Sequence, residues 1–368
     1  MLLAPDVVNY LPPLAAILSF VATGMLVLLV PQFPRLAGAP EHLSAVQSAH
    51  KKITPRVGGL AIFFGLCVML FFLPWEEARI HGGFFLAASV LFMAGILEDL
   101  GFGVSPTNRL VAAVISSLLV VGIFGTWLTR VDIPGLDGLV QYWIVGVPIT
   151  VLLTAGIANG FNLIDGVNGL SSVVAIVSSL ALSFIAYLSG DIFLAQAGLI
   201  LAAAVFGFFA LNFPFGLIFL GDAGAYTLGF FISWLGIFVV IGSTGVTPWA
   251  VLLTVIWPVS DTMLAIYRRS RRQADTMAPD RLHVHQLVMR AIEIVFVGRS
   301  KRHISNPLTT VILAPCVLAP ALAAVAFWNN PLLAFLSVVT FKVIFWGTYL
   351  SMFRVISRYR RGSYRRAA

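Results

Sequence analysis

Apolar stretches of roughly 18 or more residues recur from one end of the chain to the other, and nothing else in the sequence restricts its fold so severely. Each is long enough to cross about 30 Å of hydrocarbon as a helix. Eleven candidate spans fall near residues 13–32, 57–74, 83–97, 110–126, 141–158, 171–189, 192–212, 223–240, 247–267, 308–327 and 331–353. Of the 368 residues, 59% are hydrophobic and only 10% are charged, against about 25% charged in soluble domains. The fold class is therefore an all-α integral membrane protein, and soluble classes are excluded. Cys67 and Cys316 both lie inside apolar stretches and frame neither a disulfide nor a metal site. No cleavable signal is expected, because the first apolar run follows Asp6 and no small-residue cleavage pattern closes it.

The loops alternate in charge. Those at 33–56, 98–109, 159–170, 213–222 and 268–307, with the tail at 354–368, hold 20 of the 23 Lys and Arg residues. The opposite loops hold only Arg79 and Arg130, and Lys342 lies within the last span. The positive-inside rule places the basic set in the cytoplasm. The N-terminus is then outside and the tail inside, which an odd number of spans satisfies. One polytopic domain, 1–368, is expected, with 268–307 as a long cytoplasmic loop and the tail as a basic cytoplasmic extension. Basic residues flanking apolar spans point to membrane lipid as a partner and not to nucleic acid. A homodimer is compatible with this organisation. The outer stretch TWLTRVDIPGLDGLVQYW (126–143) carries Pro-Gly and Asp-Gly turn signals and suggests a small hairpin or interfacial turn.

The polar residues gather on the basic side. NGFNLIDGVNGL (159–170) sets Asn159, Asn162, Asp165 and Asn168 three apart. Such spacing drifts about 60° per step on a helix, so the intervening glycines suggest that the helix ends here and the polar groups converge from a loop. GILEDLGFG (95–103) carries Glu98 and Asp99, FLGDAGAYTLG (219–229) carries Asp222, and WPVSDTMLAIYRR (257–269) carries Asp261. Five carboxylates thus share one membrane depth and one side. Singly, each has a plainer reading. Asp222 could cap the following helix, Asp165 and Asn168 could be turn formers, and Gly224 and Gly229 could serve helix packing. Together they are costly, since an acid near hydrocarbon costs up to about 2.5–3.5 kcal/mol. A divalent cation relieves their repulsion, and Mg²⁺ suits a site of one or two carboxylates completed by phosphate and water.

Two basic segments complete this face. HKKITPRVGGLAIF (50–63) brings Lys51, Lys52, Thr54 and Arg56 before a Gly-Gly, either as a membrane anchor or as a phosphate clamp. PDRLHVHQLVMR (279–290) brings Arg281, His283 and His285. On a helix the two histidines point about 200° apart, so a shared metal needs an extended segment.

In their order, TPRVGGLAI, the Glu98-Asp99 pair, NGFNLIDGVNGL, FLGDAG, PVSDT and DRLHVH resemble the polyprenyl-phosphate N-acetylhexosamine-1-phosphate transferases of glycosyltransferase family 4. The resemblance covers roughly residues 45–290. TPRVGG is closer to the O-antigen and common-antigen branch than to the peptidoglycan branch. The resemblance implies a cytoplasmic cleft, a UDP-N-acetylhexosamine donor, a polyprenyl-phosphate acceptor and Mg²⁺, with Mn²⁺ as a substitute. It implies Asp222 as chief metal ligand, with Asp99 assisting. Asp99 and Glu98 would orient or deprotonate the acceptor phosphate. Asp165, counted with the catalytic acids, and Asn162 would contact the nucleotide-sugar, Lys52, Arg56 and His283 would neutralise phosphate charge, and Thr54, Asn159, Asn168, Arg281 and His285 would bind substrate. Where the family pattern usually has Asp, Asp, Ser and His, this chain has Glu98, Asn168, Ala225 and Gln286, which points to a divergent sugar specificity. A transporter or flippase is the rival class, but it would place ionisable groups near the midplane.

Overall fold

The computed structural model describes residues 5–29, 32, 54–272, 282–298 and 301–367. Lys51, Lys52 and Arg281 lie outside the described residues. All regular structure among the described residues is helical. The helices are α1 (Pro5–Leu29), α2 (Gly58–Met69), α3 (Trp75–Asp99), α4 (Pro106–Phe124), α5 (Asp137–Val140), α6 (Trp143–Ile164), α7 (Leu170–Leu188) and α8 (Ile192–Asn212). They continue as α9 (Gly221–Gly242), α10 (Pro248–Thr254), α11 (Ile256–Arg272), α12 (Val284–Ile292), α13 (Arg302–Ala326) and α14 (Pro331–Ala367).

Among the described residues, nine helices are long and apolar enough to cross a membrane. A tenth crossing is made if α10 and α11 act as one span bent by 80°. The remaining apolar segment, Gly58–Phe72, is shorter. The stretch 126–143 forms no hairpin; it holds the single turn of α5 and is tied to the loop before α10. Arg130 donates to the carbonyls of Thr244 and Val246, and Thr247 Oγ1 donates to Asp132 at 2.5 Å. The segment 268–307 is not simply a loop: α11 runs to Arg272, α12 is a helix of its own, and α13 begins at Arg302.

At the centre stands α9. A helix apolar on all sides belongs inside a bundle, and nearly every side chain of α9 is buried, from Gly221 to Val240. It touches α2, α3, α6, α7, α8 and α10. Small residues permit the close approaches. A Cβ on Gly59 would lie 2.2 Å from the backbone nitrogen of Gly224, and one on Gly95 would lie 2.5 Å from Cα of Ala223. Both contacts fall in the first turn of α9, so that turn is held against α2 and α3 at backbone distance.

Candidate functional site

The first turn of α9 is fixed before any side chain of the site is considered. Residues 55–59 run beside 219–220: Phe219 N–H donates to Pro55 O, Gly58 N–H to Phe219 O and Gly59 N–H to Leu220 O, at 2.7, 2.9 and 2.8 Å. This pairing places TPRVGG against FLGD. Gly221 then turns the chain with φ +76°, and a Cβ there would strike Arg56 O at 1.9 Å and Asp99 Oδ2 at 2.6 Å.

A helix start leaves backbone N–H groups without partners. Here a residue of another helix supplies the cap. Asp99, the last residue of α3, accepts from Asp222 N–H at 2.8 Å through Oδ1 and from Ala223 N–H at 2.9 Å through Oδ2. Its carboxylate is 4% exposed. A carboxylate at a helix N-terminus is also favoured by the helix dipole. Both oxygens of Asp99 are thus turned onto the backbone that carries Asp222.

The Asp222 carboxylate faces three groups. Asn162 Nδ2 donates to Oδ1 at 3.0 Å, Arg56 Nη2 lies 3.5 Å from the same oxygen, and Arg109 Nη1 is in direct contact with Oδ2. Arg109 comes from the first turn of α4, which Ser105 caps by accepting from Asn108 N–H at 3.2 Å. Its guanidinium lies over the Tyr226 ring at 5.7 Å, and Tyr226 donates its hydroxyl hydrogen to Asn159 Oδ1 at 3.3 Å. The Glu98 Oε2 atom is buried and has no hydrogen-bond partner.

The segment 159–170 does not form one loop. Asn159 and Asn162 lie on the last turns of α6, which ends at Ile164, and Asp165 is its C-cap residue. Burial pushes the Asp165 carboxyl up to about 6, opposed by the charge of Arg56. Asn168 is 4% exposed and its groups are taken by the scaffold. Its N–H donates to Asn306 Oδ1 at 2.7 Å, its carbonyl accepts from Thr310 Oγ1 at 2.6 Å, and its Nδ2 donates to Pro214 O at 3.0 Å. Gly169 N–H donates to Asn212 Oδ1 at 2.7 Å. These bonds tie the Asp165 loop to α8 and α13.

The histidines arrive from α12. His283 is extended and bonds Asp261 Oδ2 through Nδ1 at 2.8 Å. His285, on the first turn of α12, stacks on His283 with centroids 5.8 Å apart and rings 13° from parallel. It is fully buried, with both ring nitrogens unpartnered, and burial pushes its pKa down to about 4. A Cβ on Gly166 would meet its Nε2 at 2.2 Å, so the imidazole lies flush against the loop after Asp165.

The structure therefore brings Arg56, Asp99, Asn159, Asn162 and Asp222 together directly, with Asp165 within electrostatic reach of Arg56. It sets His283 and His285 beside the Asp165 loop, and places Asn168 in the supporting scaffold. Sequence reasoning missed Arg109 and Tyr226. The available signal for Arg109 was its isolation as the one basic residue of 98–109. Among the described residues no group of three or more His, Cys, Asp or Glu side chains converges as metal ligands.

The family model for glycosyl transferase family 4 matches residues 81–240. A probable undecaprenyl-phosphate N-acetylglucosaminyl 1-phosphate transferase of Bacillus subtilis is 30% identical over 281 residues, covering 74% of this chain and 77% of its own. Undecaprenyl-phosphate alpha-N-acetylglucosaminyl 1-phosphate transferases of Salmonella typhi and Escherichia coli K12 are each 29% identical, over 66% of this chain and 67% of theirs. The matched residues 81–240 include Asp99, Arg109, Asn162, Asp165 and Asp222, so the chain belongs to glycosyl transferase family 4, the polyprenyl-phosphate N-acetylhexosamine-1-phosphate transferases.

Proposed function

We propose that the protein transfers an N-acetylhexosamine-1-phosphate from a UDP-sugar to undecaprenyl phosphate at the cytoplasmic face of a bacterial inner membrane. The observation that carries this reading is the Asp222 pocket. One buried carboxylate meets two guanidiniums and an amide there. The names of the relatives supply the acceptor and the sugar phosphate. UDP-N-acetylglucosamine is the default donor, and the departures at Glu98, Asn168, Ala225 and Gln286 favour assay of 6-deoxy-N-acetyl sugars beside it.

In the proposed reaction an oxygen of the lipid phosphate attacks the sugar-bearing phosphorus of the donor. A new P–O–P bond forms, the bond from that phosphorus to the bridging oxygen breaks, and UMP leaves with the electron pair. The sugar C–O bond is untouched, so anomeric configuration is retained. Two anions must meet, so positioning and charge compensation are the main contributions. Arg56 and Arg109 present planar forks suited to phosphate oxygens. Asn162, with Asn159 held by Tyr226, offers amide groups to the nucleotide-sugar. Asp99 acts through the backbone of Asp222, while the unpartnered Oε2 of Glu98 is free to take a proton from the acceptor phosphate. His285 is neutral and contributes no positive charge.

Mg²⁺ is the ion this chemistry calls for, since it is bound through one or two carboxylates plus substrate phosphates and water, and Asp222 would hold it once substrate phosphates take up Arg56 and Arg109. When bound, the ion offsets phosphate charge. Purified protein with Mg²⁺, undecaprenyl phosphate and a panel of UDP-N-acetylhexosamines should release UMP only when acceptor and one preferred donor are both present. No UMP from any donor rejects the reading. The gathering of the pocket's ionisable groups at one end of the bundle favours a transferase over a transporter.

A further inference from the structure

One cation takes no part in the pocket. Lys342 is the single charged side chain between Pro331 and Phe353 on α14. Its Nζ lies 3.3 Å from the sulfur of Met263 on α11, a weak acceptor. Among the described residues no carboxylate pairs with it. An ammonium on a spanning helix among apolar neighbours is favoured by a nearby anion, and the chain provides none among the described residues.

Lys342 opens on a cavity of about 450 Å³ between α11 and α14, lined also by Ser260, Met263, Tyr267 and Trp346. Ser260 is 2% exposed and its hydroxyl has no hydrogen-bond partner. Tyr267 and Trp346 meet edge to face at 5.7 Å. The cavity lies at the level of the polar layer: Asp261, next to Ser260, bonds His283, and Pro258 and Thr262 pack on Gly160 beside Asn159. It faces away from the pocket, since Pro258 and Thr262 turn toward α6 whereas Ser260, Met263 and Tyr267 turn toward α14. Met263 and Tyr267 are about half exposed on a helix set against apolar spans, so what enters comes from the bilayer.

We propose that this cavity binds the headgroup phosphate of an acidic phospholipid. Lys342 pairs with the phosphate, Ser260 donates its hydroxyl hydrogen to it, and Tyr267 and Trp346 flank it as interfacial aromatics do. No carboxylate lines the cavity to receive the amine of a zwitterionic headgroup, and the uncancelled ammonium selects a lipid of net negative charge. The volume suits a headgroup and leaves both acyl chains in the membrane. The site is independent of the transferase reading.

Native mass spectrometry of the full-length protein with phosphatidylglycerol or phosphatidylcholine tests this. Wild type should retain one phosphatidylglycerol more than Lys342→Met, and Lys342→Arg should keep it. Phosphatidylcholine should be retained at least ten-fold less. Wild type should also melt at a higher temperature in phosphatidylglycerol nanodiscs than in phosphatidylcholine ones. This reading is independent of how any variant folds, and the gain should vanish in Lys342→Met. Equal retention of the two lipids, equal retention by wild type and Lys342→Met, or no gain in wild type would overturn the proposal. Displacement of the retained lipid one for one by undecaprenyl phosphate would overturn it too, by identifying an acceptor site.

Discussion

At the residue scale, Asp99 and His285 are defined by what their polar atoms touch. Asp99 spends both oxygens on the start of α9. Removing a capping side chain costs about 0.5–2 kcal/mol. Asp99→Ala should therefore lower unfolding stability by about that much and abolish transfer together with it. Asp99→Asn keeps one acceptor oxygen and should recover most of the stability, as thermal unfolding in detergent will read. Full stability in Asp99→Ala would remove the capping role. His285 supplies a pH signature. Its pKa is about 4 when folded, against about 6.5 for a free imidazole, so between those values the unfolded chain binds the extra proton. Its contribution is complete above about pH 6.5 and is lost as pH falls toward 4, by up to about 3 kcal/mol. Asp165, raised to about 6, acts in the opposite sense over much of that range. The difference between wild type and His285→Asn isolates the histidine. Wild type should lose stability relative to the variant as pH drops from 6.5 to 4, and a flat difference would contradict its burial as a neutral ring.

At the element scale, the pocket depends on how closely α2, α3 and α9 approach. Gly221 is the tightest point, at positive φ with Arg56 O and Asp99 Oδ2 where a side chain would go. Gly221→Ala should cost about 1–3 kcal/mol in backbone strain and, by moving Asp222, eliminate turnover. Gly122 on α4 has nothing within 4 Å of its ideal Cβ, so Gly122→Ala should leave activity intact and stabilise the helix by about 0.5–1 kcal/mol. Elements were largely legible in the sequence because apolar length and glycine punctuation are local properties. The run 192–212 is α8 residue for residue. What was not legible is contact across the chain. The cap of α9 comes from a residue 123 positions earlier, and the 80° bend at Val255 lies inside an apolar run that reads as continuous. Arg109 is one basic residue in a loop until folding sets it on Asp222. Asn168 shared the spacing of its neighbours but falls after the helix end at Ile164, where buried backbone needs partners more than a ligand does.

At the scale of the whole molecule, charge asymmetry predicts the orientation, and in the proposed reaction the bundle sets where two anions meet. The pocket holds Arg56 and Arg109, which come from loops that the positive-inside rule assigns to the cytoplasm, where nucleotide-sugars are made. With Cys67 and Cys316 replaced by serine, a membrane-impermeant maleimide should label Gly138→Cys in intact cells. It should label Lys301→Cys only in inverted vesicles. The reverse pattern would turn the pocket away from its donor. The central claim is that Asp222 organises transfer of a sugar together with its phosphate. It is tested most directly with a UDP-N-acetylhexosamine donor carrying radioactive phosphorus at the sugar-side phosphate. Label should pass into the undecaprenyl fraction while the released UMP stays unlabelled, and Asp222→Asn, folded as judged by its melting temperature, should pass none. Label left in the nucleotide fraction during turnover, or full transfer by Asp222→Asn, would contradict the account.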